Sequence, residues 1–167
     1  MLLTAGCGFI GNNNLAQQYD ASDGTSVDVG NIQVRNAILF TTNDKRASLS
    51  MTVLNEGAAN ATATFQYPTA TGTKTKEVTV PGESQVRLGT QGGDDQLILT
   101  GITHKPGSLL KVYVQAGSAS GKNLQVPILN GALGEYKTLL PSPVQATPTS
   151  TSSATPLPQA TNGSGNN

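Results

Sequence analysis

Alternating apolar and polar residues dominate the middle of this 167-residue chain. From Ala47 to Val53 every second residue is apolar and Ser or Thr stands between, and the same period returns from Ala61 to Tyr67. A period of two indicates a strand with one buried face, because successive side chains point to opposite sides of the backbone. Six other segments alternate or form a short apolar run: 32–40, 74–80, 84–88, 97–100, 110–115 and 123–128.

Turn-forming residues bound these segments, and none of the segments has a helical period. In the first segment we expect the apolar residues Ile32, Val34, Ile38 and Phe40 to share one face. We expect Pro68 to end its strand, because proline cannot donate to a sheet ladder. The pattern therefore predicts about eight short strands and no helix.

Strands buried on one face, at this spacing, favour two antiparallel sheets packed face to face. The predicted class is all-β, an immunoglobulin-like antiparallel β-sandwich of about 7–9 strands over residues 27–140. The cysteine pair and the tryptophan of antibody domains are absent, so that likeness concerns architecture only. A partly open barrel is the alternative. A domain of this length buries enough apolar surface to fold alone.

The flanking segments have a different composition. Residues 8–26 are rich in turn and coil formers, and we expect a flexible tether there. Residues 141–167 contain no charged and no aromatic residue, and they consist mostly of Pro, Ser, Thr and other small or polar types. We expect a disordered tail, because so little apolar surface cannot offset the entropy lost on ordering. The composition is also that of O-glycosylated stalks.

Residues 1–7 form the most specific motif in the chain. Leu3, Thr4, Ala5 and Gly6 precede Cys7, the single cysteine, in the manner of a bacterial lipobox. In such a motif the thiol takes up a diacylglyceride, and an N-acyl chain such as palmitate can be added. Each buried methylene contributes about 0.8 kcal/mol, so two or three chains anchor stably where one does not.

The start of the chain bears on this prediction. Export requires a basic segment and an apolar stretch of roughly 7–15 residues before the cleavage site. Only six residues precede Cys7 and none is basic. Leucine also stands four residues before the cysteine rather than the usual three. Either the signal peptide begins upstream of Met1, which we favour, or the match is fortuitous.

Composition excludes several classes of protein. Ten basic and ten acidic residues balance, so no net charge attracts nucleic acid or anionic lipid. One cysteine allows no intramolecular disulfide. No apolar run reaches the roughly 18 residues of a transmembrane helix.

Candidate catalytic and metal-binding residues are few. His104 is the only histidine and lies in a turn-like sequence before Pro106-Gly107. No serine lies in a nucleophile-elbow sequence, so we do not expect catalysis. Asp94 and Asp95 lack the spacing of calcium loops and indicate a solvated hairpin tip. The sequons at Asn60 and Asn162 matter only in a host with N-glycosylation.

Short stretches in the same order resemble actinobacterial envelope lipoproteins of the LpqE-like group. They are the lipobox, the tether, and the segments 28–37, 49–57, 80–82, 124–128 and 136–141. The resemblance implies an exported, acylated β-sandwich related in fold to periplasmic copper chaperones. Those chaperones hold Cu(I) through methionine and histidine, and this chain offers only Met1, Met51 and His104. Met1 would leave with the signal and Met51 alternates into the core, so we expect no metal site and no cofactor.

These observations together predict a non-enzymatic lipoprotein held on the outer face of the cytoplasmic membrane. Its bilayer contact is acylated Cys7, and its partner is an envelope protein or a cell-wall polymer, with no nucleic acid. A copper chaperone-like carrier is the alternative function.

Overall fold

The computed structural model describes residues 23–42, 45–89 and 95–143. The lipobox with Cys7, nearly all of the predicted tether, Asp94, Asn162 and most of the predicted tail lie outside these residues. The described part contains nine strands and one 3₁₀ helix, Gly134–Leu139. The strands are β1 Thr25–Val29, β2 Ile32–Thr41, β3 Arg46–Asn55, β4 Ala61–Thr69, β5 Gly72–Val80, β6 Ser84–Leu88, β7 Leu97–Thr100, β8 Leu109–Ala116 and β9 Lys122–Leu129. Within the described ranges, no helix is long and apolar enough to cross a membrane.

The strands form one mixed sheet that curls into a half-barrel, with the order β5-β4-β8-β9-β2-β3-β6. β1 pairs with β2, and β7 pairs with β3. Two antiparallel groups join where β2 and β9 run parallel, with Leu39 opposite Ile128. The all-β, sandwich-like prediction is confirmed, and the parallel junction is a feature that the alternation did not indicate.

The core lies between the two groups of strands. In β3 the apolar residues of the alternation are all buried, and so are those of β4 from Ala63 onward. Burying each large aliphatic or aromatic side chain stabilises the fold by about 1.5–3 kcal/mol. The largest buried side chains are Tyr67, Phe40, Phe65, Ile32, Leu39 and Leu49.

A bulge in β2 changes the predicted face of that strand. Asn36 and Ala37 both lie opposite Met51, because the register shifts between Arg35 and Ile38. Asn36 has a φ of 52°, a left-handed conformation that asparagine tolerates better than most residues. Because of the extra residue, each later side chain of β2 points to the face opposite the one that the alternation predicts.

The prediction that Ile32, Val34, Ile38 and Phe40 share one face is therefore wrong. Before the bulge, Ile32 and Val34 belong to the core cluster, and after it Ala37 and Leu39 take their place. Ile38 and Phe40 are buried on the opposite face.

The chain after β9 covers that second apolar surface. The Tyr136 ring, in the 3₁₀ helix, lies against the Phe40 ring with centroids 5.2 Å apart and planes at 53°. Further along, Gln96 Nε2 donates to the Leu140 carbonyl at 2.9 Å and Arg46 Nη1 donates to the Ser142 carbonyl at 3.1 Å. The prediction of no helix is wrong here, because one short helical turn serves to place Tyr136.

Pro68 also departs from prediction, since β4 continues through it to Thr69. Pro68 pairs with Thr73 of β5, whereas β8 pairs with β4 only from Ala63 to Gln66. Proline has no backbone N–H, and none is needed toward β8 at this position, because β8 does not pair with β4 there.

Candidate binding pocket around His104

The loop between β7 and β8 is fixed at both of its ends. At its start, the backbone N–H groups of Gly101 and Ile102 both donate to the Lys45 carbonyl, at 2.8 and 3.2 Å. Ile102 is 4% exposed and holds the loop to the core. At its end, the N–H of Gly107 donates to the Ile128 carbonyl at 2.8 Å. Gly101 and Gly107 have φ values of +83° and +87°, which favour glycine.

This loop, the end of β2 and Lys45 just before β3 line an open pocket of about 510 Å³. Its lining combines ammonium, imidazole, hydroxyl and aliphatic groups, and no carboxylate is among the described lining residues. The lining residues are Thr41, Lys45, Ile102, Thr103, His104 and Lys105.

The His104 imidazole presents one edge to the protein interior and the other to the outside. Nδ1 is buried and has no hydrogen-bond partner. Nε2 is neither buried nor hydrogen-bonded to any residue of the described ranges. An imidazole placed in this way offers Nε2 to a ligand. It lacks the outer hydrogen bond on Nδ1 that usually orients a metal-binding histidine.

The pocket's two lysines leave their charge available. Lys45 and Lys105 are exposed, and neither forms an ion pair with a residue of the described part. Thr41 differs, since its hydroxyl donates to the Arg46 carbonyl at 2.6 Å and so helps to fix the start of β3. The Thr103 hydroxyl makes no hydrogen bond within the described residues.

The structure separates the soft metal ligands that the sequence offers. Met51 is 2% exposed in β3, opposite Leu88, and does not line the pocket. Met1 and Cys7 lie outside the described residues. No group of three His, Cys, Asp or Glu side chains suited to a metal ion occurs in the described ranges. His104 is thus the one described residue of the sequence-based metal set that a ligand can reach.

The other sequence-based candidates serve local structure. Asp95 accepts a hydrogen bond from the Gly89 N–H through its carbonyl at 3.0 Å, while its neighbour Asp94 is not described. Asn60 is exposed, and its Oδ1 accepts from the Gly82 N–H at 3.3 Å. Sequence reasoning missed Lys45 as a partner of His104, because the two are 59 positions apart and only the fold brings them to one pocket. Lys105 is next to His104 in the sequence, but no local pattern assigns it to a site.

No protein-family model and no curated protein sequence matches this chain. Solved structures do resemble it. The apo PCuAC domain of PmoF2 matches with a TM-score of 0.51 and 17% identity, over 65% of this chain and 98% of that domain. The copper-bound PCuAC domain of PmoF2 gives 0.48 and 17%, over 64% and 98%. The apo PCuAC domain of PmoF1 gives 0.47 and 16%, over 62% and 98%.

The first of these matches shows a shared fold. It supports the distant relation in fold to periplasmic copper chaperones that the sequence resemblance implies. Membership of the LpqE-like group stays a prediction.

Proposed function

We propose that this chain is a non-enzymatic carrier domain of the cell envelope and that the pocket around His104 is its binding site. The observation behind the proposal is the pocket lining, which gathers a reachable imidazole and two ammonium groups. A catalytic site needs a nucleophile or acid beside an oriented base. His104 has no hydrogen-bonded partner among the described residues, so the pocket fits binding better than acid–base chemistry.

Carriage is tested by native mass spectrometry of the full chain isolated from envelope membranes without denaturation. The wild-type chain is expected to carry an additional bound mass, and the His104→Ala variant is expected to lose it. A wild-type chain without any bound mass would count against the carrier function.

A copper chaperone-like carrier is the second candidate, and the fold shared with a PCuAC domain favours it. His104 Nε2 would then be the copper contact, since imidazole nitrogen is a normal ligand of copper. Met51 is closed off in the core, so the remaining ligands would come from outside the described residues. We expect such a site to bind copper more weakly than one with several methionine and histidine ligands.

Titration with Cu(I) distinguishes the copper function from carriage of another ligand. The full chain is used in a Cys7→Ser background, because a free thiolate would itself bind Cu(I). Copper carriage predicts one ion bound, lost in His104→Ala and kept in Met51→Leu, a volume-conserving change that preserves the core. Binding that survives His104→Ala would rule out His104 as the copper contact.

The chain is further proposed to be anchored on the outer face of the cytoplasmic membrane by acylation of Cys7. Support comes from the lipobox, Leu3 to Cys7, and from the turn and coil formers of residues 8–26 that follow it, as expected of a tether. An anchored carrier would meet its partner, an envelope protein or a cell-wall polymer, at the membrane surface. Mass spectrometry of the mature N-terminal peptide tests the anchor. A diacylglyceryl mass on Cys7 is expected, and an unmodified Cys7 in the native membrane fraction would disprove it.

A further inference from the structure

We infer that the His104 pocket takes an oxyanion, a phosphate group carried by a small molecule or by a lipid. This inference rests on the proposed carrier function and names the chemical class of its ligand. The described side chains that line the pocket are hydrogen-bond donors or aliphatic groups, and none of them is acidic.

Lysine and threonine side chains supply the first set of donors. Lys45 lies just before β3, and Lys105 lies in the loop before β8. Two separate segments of the chain therefore contribute positive charge to the pocket. Ammonium groups bind phosphate as point charges, and a hydroxyl adds a directional hydrogen bond. The Thr103 hydroxyl and His104 Nε2 make no hydrogen bond with the described part of the chain and are free to contribute.

The backbone of the pocket loop also has N–H groups without a protein acceptor among the described residues. The N–H groups of Thr103, His104 and Lys105 are consecutive, and within the described ranges none of them donates to a protein acceptor. Their neighbours on both sides are paired: Ile102 donates to Lys45, and Gly107 donates to Ile128. Pro106 has no N–H. None of the three residues has a positive φ, so they do not form the αR–αL nest of many anion sites. Each N–H is a single donor that a ligand can meet.

The same features disfavour a bare cation. A metal ion in this pocket would meet two ammonium groups and, among the described lining side chains, one nitrogen ligand. A structural zinc site takes four protein ligands, and the like charge of the two ammonium groups raises the cost of bringing any cation close. The pocket therefore matches the charge of a phosphate and opposes that of a free metal ion.

Two sources of phosphate fit the position of the pocket. Asp23, the first described residue, lies with Phe40 at a neighbouring groove, and Phe40 precedes the pocket residue Thr41. Thr25 pairs with Ala37, so the described chain begins toward the same end of β2 as the pocket residue Thr41. A phospholipid headgroup and a soluble phosphate-bearing ligand are both available there.

NMR titration of the full Cys7→Ser chain tests the inference, with the amide resonances of Thr103, His104 and Lys105 as reporters. The probe is inorganic phosphate in one arm and phosphatidylglycerol vesicles in the other, with phosphatidylcholine vesicles as the neutral reference. We expect saturable shifts at these three amides. Lys45→Gln and Lys105→Gln should each weaken binding about fivefold, the effect of one exposed ion pair.

Lys122→Gln is the matched control, because it removes one exposed lysine at the start of β9, away from the Ile128 end that holds the loop. Shifts with inorganic phosphate support a soluble ligand, and shifts only with phosphatidylglycerol support a headgroup. Shifts with neither probe, or an equal loss in Lys122→Gln, overturn the inference. A chain that binds Cu(I) through His104 but ignores both probes remains a carrier, and then only the oxyanion class is wrong.

Discussion

The Tyr136 hydroxyl donates a hydrogen bond to Asp23 Oδ2 at 2.8 Å, across 113 residues of sequence. The contact joins the first described residue to the helical turn near the end of the described chain. The ring of Tyr136 also lies against the ring of Phe40. Gly24, next to Asp23, lies so close to the bulge that a Cβ there would be 2.3 Å from Asn36 Oδ1. The two ends of the domain are thus held together on the outer face of β2.

Tyr136→Phe should remove a stabilisation that depends on pH. The hydrogen bond to Asp23, together with desolvation and the negative charges of Asp23 and Glu135, raises the pKa of Tyr136 above its ordinary value of 10.0. A raised pKa means that the protonated form is favoured in the folded state. The stabilisation is therefore fully present below pH 10.0 and is lost as pH rises through the folded pKa.

Thermal unfolding from neutral pH to above pH 10.0 checks this prediction. Wild type should be more stable than Tyr136→Phe at neutral pH, and the difference should shrink in alkaline solution. Tyr113→Phe is the control, because the Tyr113 hydroxyl makes no hydrogen bond with any described residue. A difference between wild type and Tyr136→Phe that stays constant into alkali would refute the hydrogen bond to Asp23.

Asn55→Ala should be among the more destabilising single changes. The side chain is 2% exposed, and its Nδ2 donates to the carbonyls of Ala59, Val80 and Pro81 at 2.8, 3.1 and 3.1 Å. Its Oδ1 accepts from the Gly57 N–H at 2.9 Å. Truncation leaves these backbone groups without their partner, at a cost of about 2–3 kcal/mol. Urea unfolding should show a lower midpoint with an unchanged slope.

Asn123→Ala provides the comparison, since Asn123 is exposed and makes no hydrogen bond with the described residues. Its effect should lie within about 0.5 kcal/mol of zero. Equal effects at the two positions would show that the Asn55 amide does not tie the β3–β4 turn to the β5–β6 turn.

Gly82→Ala tests the close approach of those same two turns. A Cβ at Gly82 would lie 2.0 Å from the Ala58 carbonyl oxygen, and that oxygen belongs to the backbone and cannot rotate away. We expect a loss of about 1–3 kcal/mol in unfolding free energy, as for other overpacked positions. Gly134→Ala, where a Cβ meets nothing within 4 Å, should be close to neutral in the same denaturation series. Wild-type stability in Gly82→Ala would mean that the turns are further apart.

The strands could be predicted from the sequence because a two-residue period follows directly from strand geometry. The faces of β2 could not, since they depend on whether Asn36 adopts a left-handed conformation, and an asparagine in a run of strand residues does not reveal this. The helical turn around Tyr136 was missed for a related reason. Tyr136 lies against Phe40, and Leu139 lines a groove with Ile38, on a surface that is present only because the bulge exchanges the faces of β2.

The candidate site, like the fold, could be predicted only where it depends on residues close together in the sequence. His104 was identified as the only histidine, and its turn was visible in Pro106-Gly107. Its proximity to Lys45 depends on the pairing of β3 with β7, which sets Arg46 opposite Thr100. No local pattern encodes that register.

Chemical modification of His104 in the native envelope tests the central claim most directly. The chain has one histidine, so a histidine-specific acylating reagent that attacks Nε2 reports on this pocket alone. If the pocket carries a ligand, His104 reacts slowly in the native membrane and rapidly in purified chain from which ligand has been removed. In the Lys105→Gln variant the protection should be weaker, in line with binding weakened about fivefold. Equal reaction rates of the wild-type chain in the membrane and after purification would contradict the carrier function.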